Sequence, residues 1–260
     1  FGQRQRQIIC LCIFILIWVV GFVFSEINWT KPIGKPITVS LIQGDIPQSL
    51  KWSPEHLKLS LQRYEKLTEK NWASNVIIWP ETAIPLPSYM LRPFFEKLNQ
   101  QALAHHSSLI TGALVLAPNK DAYYNGLITL GNASGEYYKR RLVPFGETLP
   151  KITMLSSLYN ALKLPKPNLT QGPINQEAVS VQGISFAPFI CYEIAFPEQV
   201  RAFTKNKGFL LTLSDDAWFG HSIASWQHLQ MAQMRAIETG RMVVFVSNSG
   251  ITAIINSKGN

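Results

Sequence analysis

The hydrophobic pattern divides the chain near its start. Positions 8–25 run without a single charge, close to the roughly 20 residues a helix needs to cross a bilayer core, and so predict a membrane span. A secretory leader is the alternative, because Arg4 and Arg6 resemble its basic region and Val23-Phe24-Ser25 resembles a cleavage site, but its apolar stretch is typically only ~7–15 residues. Arg4 and Arg6 precede the span and only Glu26 follows closely, so the positive-inside rule puts the start in the cytoplasm and the remainder outside it. Asn28, Pro32, Gly34 and Pro36 mark a linker. The expected division is a transmembrane helix over 1–25, a linker over 26–36 and one domain over 37–260.

Within the domain the period changes repeatedly. Positions 37–43 and 75–79 are strand-like, and between them Leu57, Leu61, Tyr64 and Leu67 share a helical face behind Ser53 and Pro54 as cap and first turn. A helix is expected over 93–105, then strands over 109–116, 124–130, 178–181 and 184–190. The last third alternates again: helix 197–206, strand 209–213, helix 226–240, strand 242–247. Helices alternating with buried strands predict a layered α/β domain. A final strand over 251–255 runs into the turn signal Ser257-Lys258-Gly259-Asn260, so its hairpin partner is expected beyond the last residue. Phe1 stands where a Met would begin a chain, and further membrane helices are expected upstream.

Composition narrows the partners. With 47% apolar and 15% charged residues among 260, intrinsic disorder is excluded. A net charge of +8 favours an anionic partner, nucleic acid or a phospholipid surface, without choosing between them. Three cysteines cannot staple a chain of this length. Cys10 and Cys12 lie inside the predicted span as apolar filler, which leaves Cys191.

Most familiar chemical signatures are missing. The sequence has no G-x-G-x-x-G, P-loop or G-x-S-x-G pattern, and its five histidines fall in no zinc-ligand spacing. What remains is a set of polar residues at predicted strand ends, where α/β sheets build their sites. Glu81 follows Val76-Ile77-Ile78, Lys139 lies in Tyr138-Lys139-Arg140, Glu147 closes Leu142-Val143-Pro144-Phe145-Gly146-Glu147, and Cys191 with Glu193 ends Phe189-Ile190-Cys191-Tyr192-Glu193. A thiol with an ordinary pKa of about 8.5 needs a base or a nearby cation to react; Glu81 could be the base and Lys139 the cation. Taken singly, each has an ordinary reading: Cys191 as core filler, Glu81 as a helix cap, Lys139 as part of a solvated basic run with Arg140 and Arg141, Glu147 as a turn carboxylate.

In this order and context the residues resemble the nitrilase superfamily of carbon-nitrogen hydrolases, whose catalytic Glu, Lys and Cys follow successive strands. More narrowly the chain resembles the apolipoprotein N-acyltransferase family. The similarity rests on Gln43-Gly44-Asp45-Ile46-Pro47-Gln48-Ser49-Leu50-Lys51-Trp52, Trp79-Pro80-Glu81-Thr82-Ala83-Ile84-Pro85, Leu142 to Glu147, Ile190-Cys191-Tyr192-Glu193 and Asp216-Ala217-Trp218-Phe219-Gly220, extended by Trp226-Gln227-His228, Met234-Arg235-Ala236 and Gly250-Ile251-Thr252-Ala253. Asp215 stands where that family commonly has Asn, which adds a negative charge beside the Trp218 loop.

The resemblance implies a nitrilase-like α-β-β-α sandwich after the membrane helix, in the bacterial inner membrane with the catalytic domain in the periplasm. It implies Glu81 as general base and acid, Lys139 as oxyanion stabiliser, Cys191 as nucleophile and Glu147 as the carboxylate that orients Lys139. Trp52, Tyr192, Glu193 and Trp218 are the implied substrate-side or supporting residues. A phospholipid would donate the acyl chain and a diacylated apolipoprotein would accept it, with no cofactor, no metal and no nucleic acid. A membrane-tethered amidase of the same superfamily is the alternative enzyme, and a non-catalytic lipid- or lipoprotein-binding module the alternative from another class. A linker of about ten residues reaches at most ~35 Å, which keeps the domain near the bilayer. The apolar stretches 83–90 and 152–164, the latter flanked by Lys151, Lys163 and Lys166, either pack on the domain or dip into an anionic interface, which apolar residues rimmed by lysines suit.

Overall fold

The computed structural model describes residues 2–119, 121–148, 168–220 and 222–260. Internal contacts divide the chain into two compact units, Phe1–Lys35 and Pro36–Asn260. The first carries helix α1, Gln3–Glu26, which has no buried residue and is long and apolar enough to cross a membrane. It begins ahead of the apolar run because Gln and Arg are good helix formers and extend it without cost.

The second unit is built on two mixed sheets. The first contains β1 (Val39–Leu41), β2 (Val76–Ile78), β3 (Ser108–Leu116), β4 (Tyr123–Gly131) and β6 (Tyr137–Tyr138), in the order β1-β2-β3-β4-β6. The second contains β5 (Ala133–Ser134), β7 (Val179–Val181), β8 (Ile184–Ile190), β9 (Leu210–Ser214), β10 (Val243–Ser247) and β11 (Ala253–Ile255), in the order β11-β10-β9-β8-β7-β5. Parallel pairs β1/β2/β3 and β8/β9/β10 occupy one stretch of each sheet, and the remaining pairs are antiparallel.

Period-2 alternation sends each strand's side chains to two different cores. Val76 and Ile78 of β2 join Leu211 and Leu213 of β9 and Val244 and Val246 of β10 in a cluster between the sheets. Ile77 and Trp79 face the other way, onto Tyr64 of α3 (Pro54–Glu69) and Phe95 and Leu98 of α4 (Arg92–Ala104). On the opposite side Phe189, Val243 and Phe245 pack against Val200 of α5 (Pro197–Thr204) and Ala232 and Ala236 of α6 (Ala224–Thr239). Helices, sheet, sheet, helices is therefore the layer order, the α-β-β-α sandwich that the resemblance implied. A short helix, α2 (Gln48–Lys51), leads into α3.

Two expectations are corrected and one alternative is settled. β11 already has its hairpin partner: Val243, Val244 and Phe245 of β10 pair antiparallel with Ile255, Ile254 and Ala253, because the chain reverses through Gly250 in the left-handed region (φ 77°). The 83–90 stretch packs largely on its own domain, with Ala83 and Ile84 in the core and only Tyr89 and Met90 exposed among its large apolar residues; burying an aliphatic side chain is worth ~1.5–3 kcal/mol and draws it inward. The two-residue strands β5 and β6 were not anticipated, since so short a segment shows no period. The 152–164 stretch lies outside the described residues.

Candidate active site

Glu81 is delivered by the end of β2. Trp79 is fully buried and its Nε1 donates to Thr68 Oγ1 on α3 at 2.9 Å. Gly112 of β3 donates its N–H to Pro80 O (3.1 Å), and its carbonyl accepts from Ala83 N–H (3.2 Å). A Cβ at residue 112 would lie 2.5 Å from Pro80 O and Thr82 N and 2.6 Å from Glu81 Cα. Only glycine lets the two segments approach this closely. Thr82 then takes a positive φ of 43°, and Glu81 ends buried at 7% exposure.

Lys139 follows β6 and is fixed through its backbone, which donates to Asn125 O (2.8 Å) and accepts from Gly172 N–H (2.8 Å). Its Nζ lies 3.2 Å from Glu81 Oε1 and 2.9 Å from Glu147 Oε1. Asn125 Nδ2 bridges the same two oxygens at 2.7 and 2.8 Å, while Glu147 Oε2 accepts from Val143 N–H at 2.8 Å. One ammonium and one amide thus separate two carboxylates. Burial pushes the Lys139 ammonium toward losing its proton, yet the facing Glu81 carboxylate, the Cys191 sulfur and Glu147 outweigh it and hold Lys139 above the ordinary amine range.

Cys191 opens a 3₁₀ turn, Cys191–Ala195, directly after β8. Its φ is +50°, a conformation that costs a non-glycine residue on the order of 1–3 kcal/mol and persists only when neighbours enforce it. Glu193, fully buried, does much of the enforcing. Oε2 accepts from Ile190 N–H (2.9 Å), and Oε1 from Arg140 N–H (2.8 Å), Arg141 N–H (3.2 Å) and Gln199 Nε2 (3.0 Å). Tyr137 OH also donates to it at 2.9 Å. Glu193 therefore ties the Lys139 segment to the Cys191 turn, and burial pushes its carboxyl up despite these donors. The Cys191 thiol is pushed up as well, first by burial and then by Glu81; Lys139 and the Ser214 hydroxyl pull it partly back.

Glu81, Lys139, Glu147 and Cys191 line one cavity of about 750 Å³. Trp52, Tyr192 and Trp218 line it too, at 52%, 37% and 67% exposure; the core position that is the default for an aromatic does not apply to them. Glu193 alone among the expected site residues sits behind the wall. Among the described residues no cluster of His, Cys, Asp and Glu is arranged to hold a metal.

Sequence reasoning missed two lining residues. Lys51, 2% exposed, donates to Glu81 O at 3.2 Å and forms an ion pair with Asp215 Oδ2. Asp215 Oδ1 accepts from Asn248 Nδ2 at 3.0 Å, so the charge that departs from the family's pattern is neutralised within the wall. Asn125 is the second, and its signal was available: a lone amide in the run Tyr123-Tyr124-Asn125-Gly126-Leu127-Ile128 has to find buried partners. His228, also in the lining, is buried and donates from Nε2 to Cys191 O across 3.1 Å.

Comparison with known proteins agrees with this architecture. Residues 38–260 match the carbon-nitrogen hydrolase family. The chain is 42% identical over 257 residues to the apolipoprotein N-acyltransferase of Coxiella burnetii, covering 99% of this chain and 53% of that protein. It is 37% identical over 262 residues to the protein of the same name from Pseudomonas syringae pv. tomato, covering 99% and 52%. The chain thus spans about half the length of the curated relatives it matches. Among solved structures, a CN-hydrolase superfamily protein from Xanthomonas campestris superposes with a TM-score of 0.63 at 18% identity, covering 87% of this chain and 85% of that one. Nit3 of Saccharomyces cerevisiae, a nitrilase-superfamily member, gives 0.58 at 17%, covering 88% and 86%; both show the shared fold. With the sandwich, the cavity and these similarities together, the chain belongs to the carbon-nitrogen hydrolase family, and within it is similar to the apolipoprotein N-acyltransferases.

Proposed function

We propose that the chain transfers an acyl group from a phospholipid, through a thioester on Cys191, to the N-terminal amine of a diacylglyceryl-cysteine on an apolipoprotein. The observation that carries this reading is the shared cavity. A thiol, a carboxylate and a charged ammonium meet in a space of about 750 Å³ whose walls include Leu114, Leu169, Ala195 and Met231, a composition suited to an acyl chain. The names of the relatives supply the reaction class.

Burial and the Glu81 carboxylate both favour the protonated Cys191 thiol, so attack is coupled to proton removal. Glu81 takes the S–H proton as the sulfur bonds to the ester carbonyl carbon. The oxyanion forms against the Lys139 ammonium and the backbone N–H of Tyr192; losing one such donor typically costs ~10²–10³ in rate. Collapse breaks the C–O bond, and protonated Glu81 returns its proton to the leaving lysophospholipid oxygen. In the second half the acceptor amine attacks the thioester carbonyl, Glu81 takes a proton from nitrogen, the C–S bond breaks and the sulfur is reprotonated. Glu147 keeps Lys139 charged and oriented throughout. Trp52, Tyr192 and Trp218 contact substrate at the rim, and Glu193 holds the nucleophile's turn. The membrane helix tethers the domain on the periplasmic face of the inner membrane, with Arg4 and Arg6 inside.

The test is the intact mass of the complete polypeptide after exposure to phospholipid. A gain of one acyl chain, localised to Cys191 and labile to hydroxylamine, is expected with release of lysophospholipid before any acceptor is added. The adduct should persist in buffer, discharge to a diacylated lipopeptide with a free α-amine, and ignore an N-blocked one. Rapid hydrolysis in buffer, or a preference for short amides over phospholipid, overturns the transferase reading in favour of an amidase.

A further inference from the structure

At the cavity wall, three buried polar residues, of which His228 is also part of the lining, converge on Cys191. His228, in the second turn of α6, has one ring nitrogen, Nε2, 3.1 Å from Cys191 O and the other, Nδ1, 3.0 Å from Asp216 Oδ1. Its ring is held edge-on by Phe245 at 5.1 Å and Phe219 at 6.1 Å between centroids. Asp216 Oδ1 also accepts from Ser214 Oγ at 2.6 Å, and its backbone N–H donates to Ser247 Oγ at 3.1 Å. Ser214 Oγ also lies 3.5 Å from His228 Nδ1. The ends of β8, β9 and β10 and the start of α6 are therefore knotted through one small network.

The hydrogen-bond inventory constrains it. A carbonyl oxygen only accepts, so His228 Nε2 must carry a hydrogen toward Cys191 O. Nδ1 faces a carboxyl oxygen, so the contact between Asp216 and His228 contains a proton, whichever of the two owns it. Asp216 Oδ2 has no hydrogen-bond partner among the described residues, which leaves the Oδ1 contacts to compensate the burial of this carboxyl. Cys191 needs such a hold, because its positive φ is not self-sustaining.

We propose that Ser214, Asp216 and His228 form a positioning relay that clamps the Cys191 carbonyl from behind and keeps its sulfur in register with Glu81. The proposal rests on Cys191 being the nucleophile of the reading above. The relay acts through the cysteine's own backbone.

Two amide substitutions split the relay, since Gln presents an N–H near the Nε2 position and Asn near Nδ1. The complete membrane protein carrying His228→Gln or His228→Asn is alkylated with iodoacetamide, the rate being read on the peptide that contains Cys191, alongside thioester formation from phospholipid and the thermal unfolding midpoint. His228→Gln, which keeps the clamp on the carbonyl, should stay within about threefold of the parent. His228→Asn should slow thioester formation by about 10–100-fold, the scale expected when a reacting group is misplaced by up to 1 Å. Its KM for phospholipid and its unfolding midpoint should match those of the Gln variant. Equal rates in the two variants overturn the relay, as does a loss that merely follows the unfolding midpoint. If His228→Asn does not fold, Ser214→Ala serves: it removes the hydroxyl that holds Asp216 Oδ1 and should slow thioester formation by about 10-fold at an unchanged KM for phospholipid, the scale of a small misplacement, and an unchanged rate overturns the proposal. Should the parent form no thioester while alkylation still separates Gln from Asn, the acyl-transfer reading has failed and the relay has not.

Discussion

Lys51 and Lys139 are buried in the wall of the same cavity, at 2% and 1% exposure, yet they are held in different ways. Lys51 has a single carboxylate partner, Asp215, and spends a further hydrogen bond on the backbone carbonyl of Glu81. Lys139 has two carboxylates, Glu81 and Glu147, each shared with Asn125. The Lys51 pair is balanced in charge and knits loops 164 residues apart in the chain. The Lys139 cluster carries one excess negative charge, counted from two carboxylates and one ammonium, and faces a thiol. A balanced pair suits a strut; an unbalanced cluster suits proton transfer, because one carboxylate can accept a proton while the ammonium stays charged.

Removing the sulfur should have the largest effect. Cys191→Ala should eliminate the acyl-enzyme altogether, whereas Cys10→Ala and Cys12→Ala in α1 should leave turnover within about twofold, in keeping with substitutions of exposed positions away from special features. Mass spectrometry and a turnover assay read both, and full turnover by Cys191→Ala would falsify the mechanism.

Next come the members of the Lys139 cluster. Lys139→Arg keeps the charge but replaces a compact ammonium with a planar fork, and Glu147→Gln removes the charge that orients it; each should lower kcat by about 10²–10³. Near-normal rates in Lys139→Arg would make Lys139 a simple counter-ion and erase its contrast with Lys51.

For the strut the expectation reverses. Lys51→Met leaves Asp215 buried without its cation and should cost about 3–5 kcal/mol of stability by denaturant titration. The double variant Lys51→Met/Asp215→Asn should recover part of that loss, since contacting partners do not add. A stable Lys51→Met with abolished catalysis would move Lys51 into the chemistry.

The smallest effect is a displacement along the pH axis. In the fold the Cys191 thiol and the Lys139 ammonium are raised above the values of ordinary exposed groups. Groups raised on folding contribute stability that is whole below the unfolded value and drains away as pH climbs toward the folded one. Stability should therefore decline on the alkaline side, above about pH 9, while these two groups contribute no loss near neutrality. Alkylation of Cys191 should be slow at pH 7 and rise only in alkali. Glu81→Gln, which deletes a charge that raises the thiol, should bring that rise to lower pH; Lys139→Met, which deletes one that lowers it, should send it higher. Shifts of the opposite sign would mean that the sulfur does not face this cluster.

Much of the architecture follows from local pattern. The charge-free run ahead of Ser25 dictates an apolar helix, because an apolar helix needs only its own backbone bonds and its own length. Alternation in Val76-Ile77-Ile78-Trp79 and Val243-Val244-Phe245-Val246 assigns side chains to inner and outer cores, since a strand's period is two wherever it sits. Glu81, Lys139 and Cys191 stood out only together, through their order and family resemblance, since each alone has an ordinary structural reading. Tertiary structure alone decided the rest. Nothing in the sequence separates buried Lys51 from an exposed lysine, since its burial depends on Asp215 arriving from 164 positions away. Asn125 bridges two carboxylates and His228 reaches the Cys191 carbonyl only because strands from different parts of the chain end side by side. Local pattern says which way a side chain points; which charges it meets there is set by the packing of elements remote in sequence.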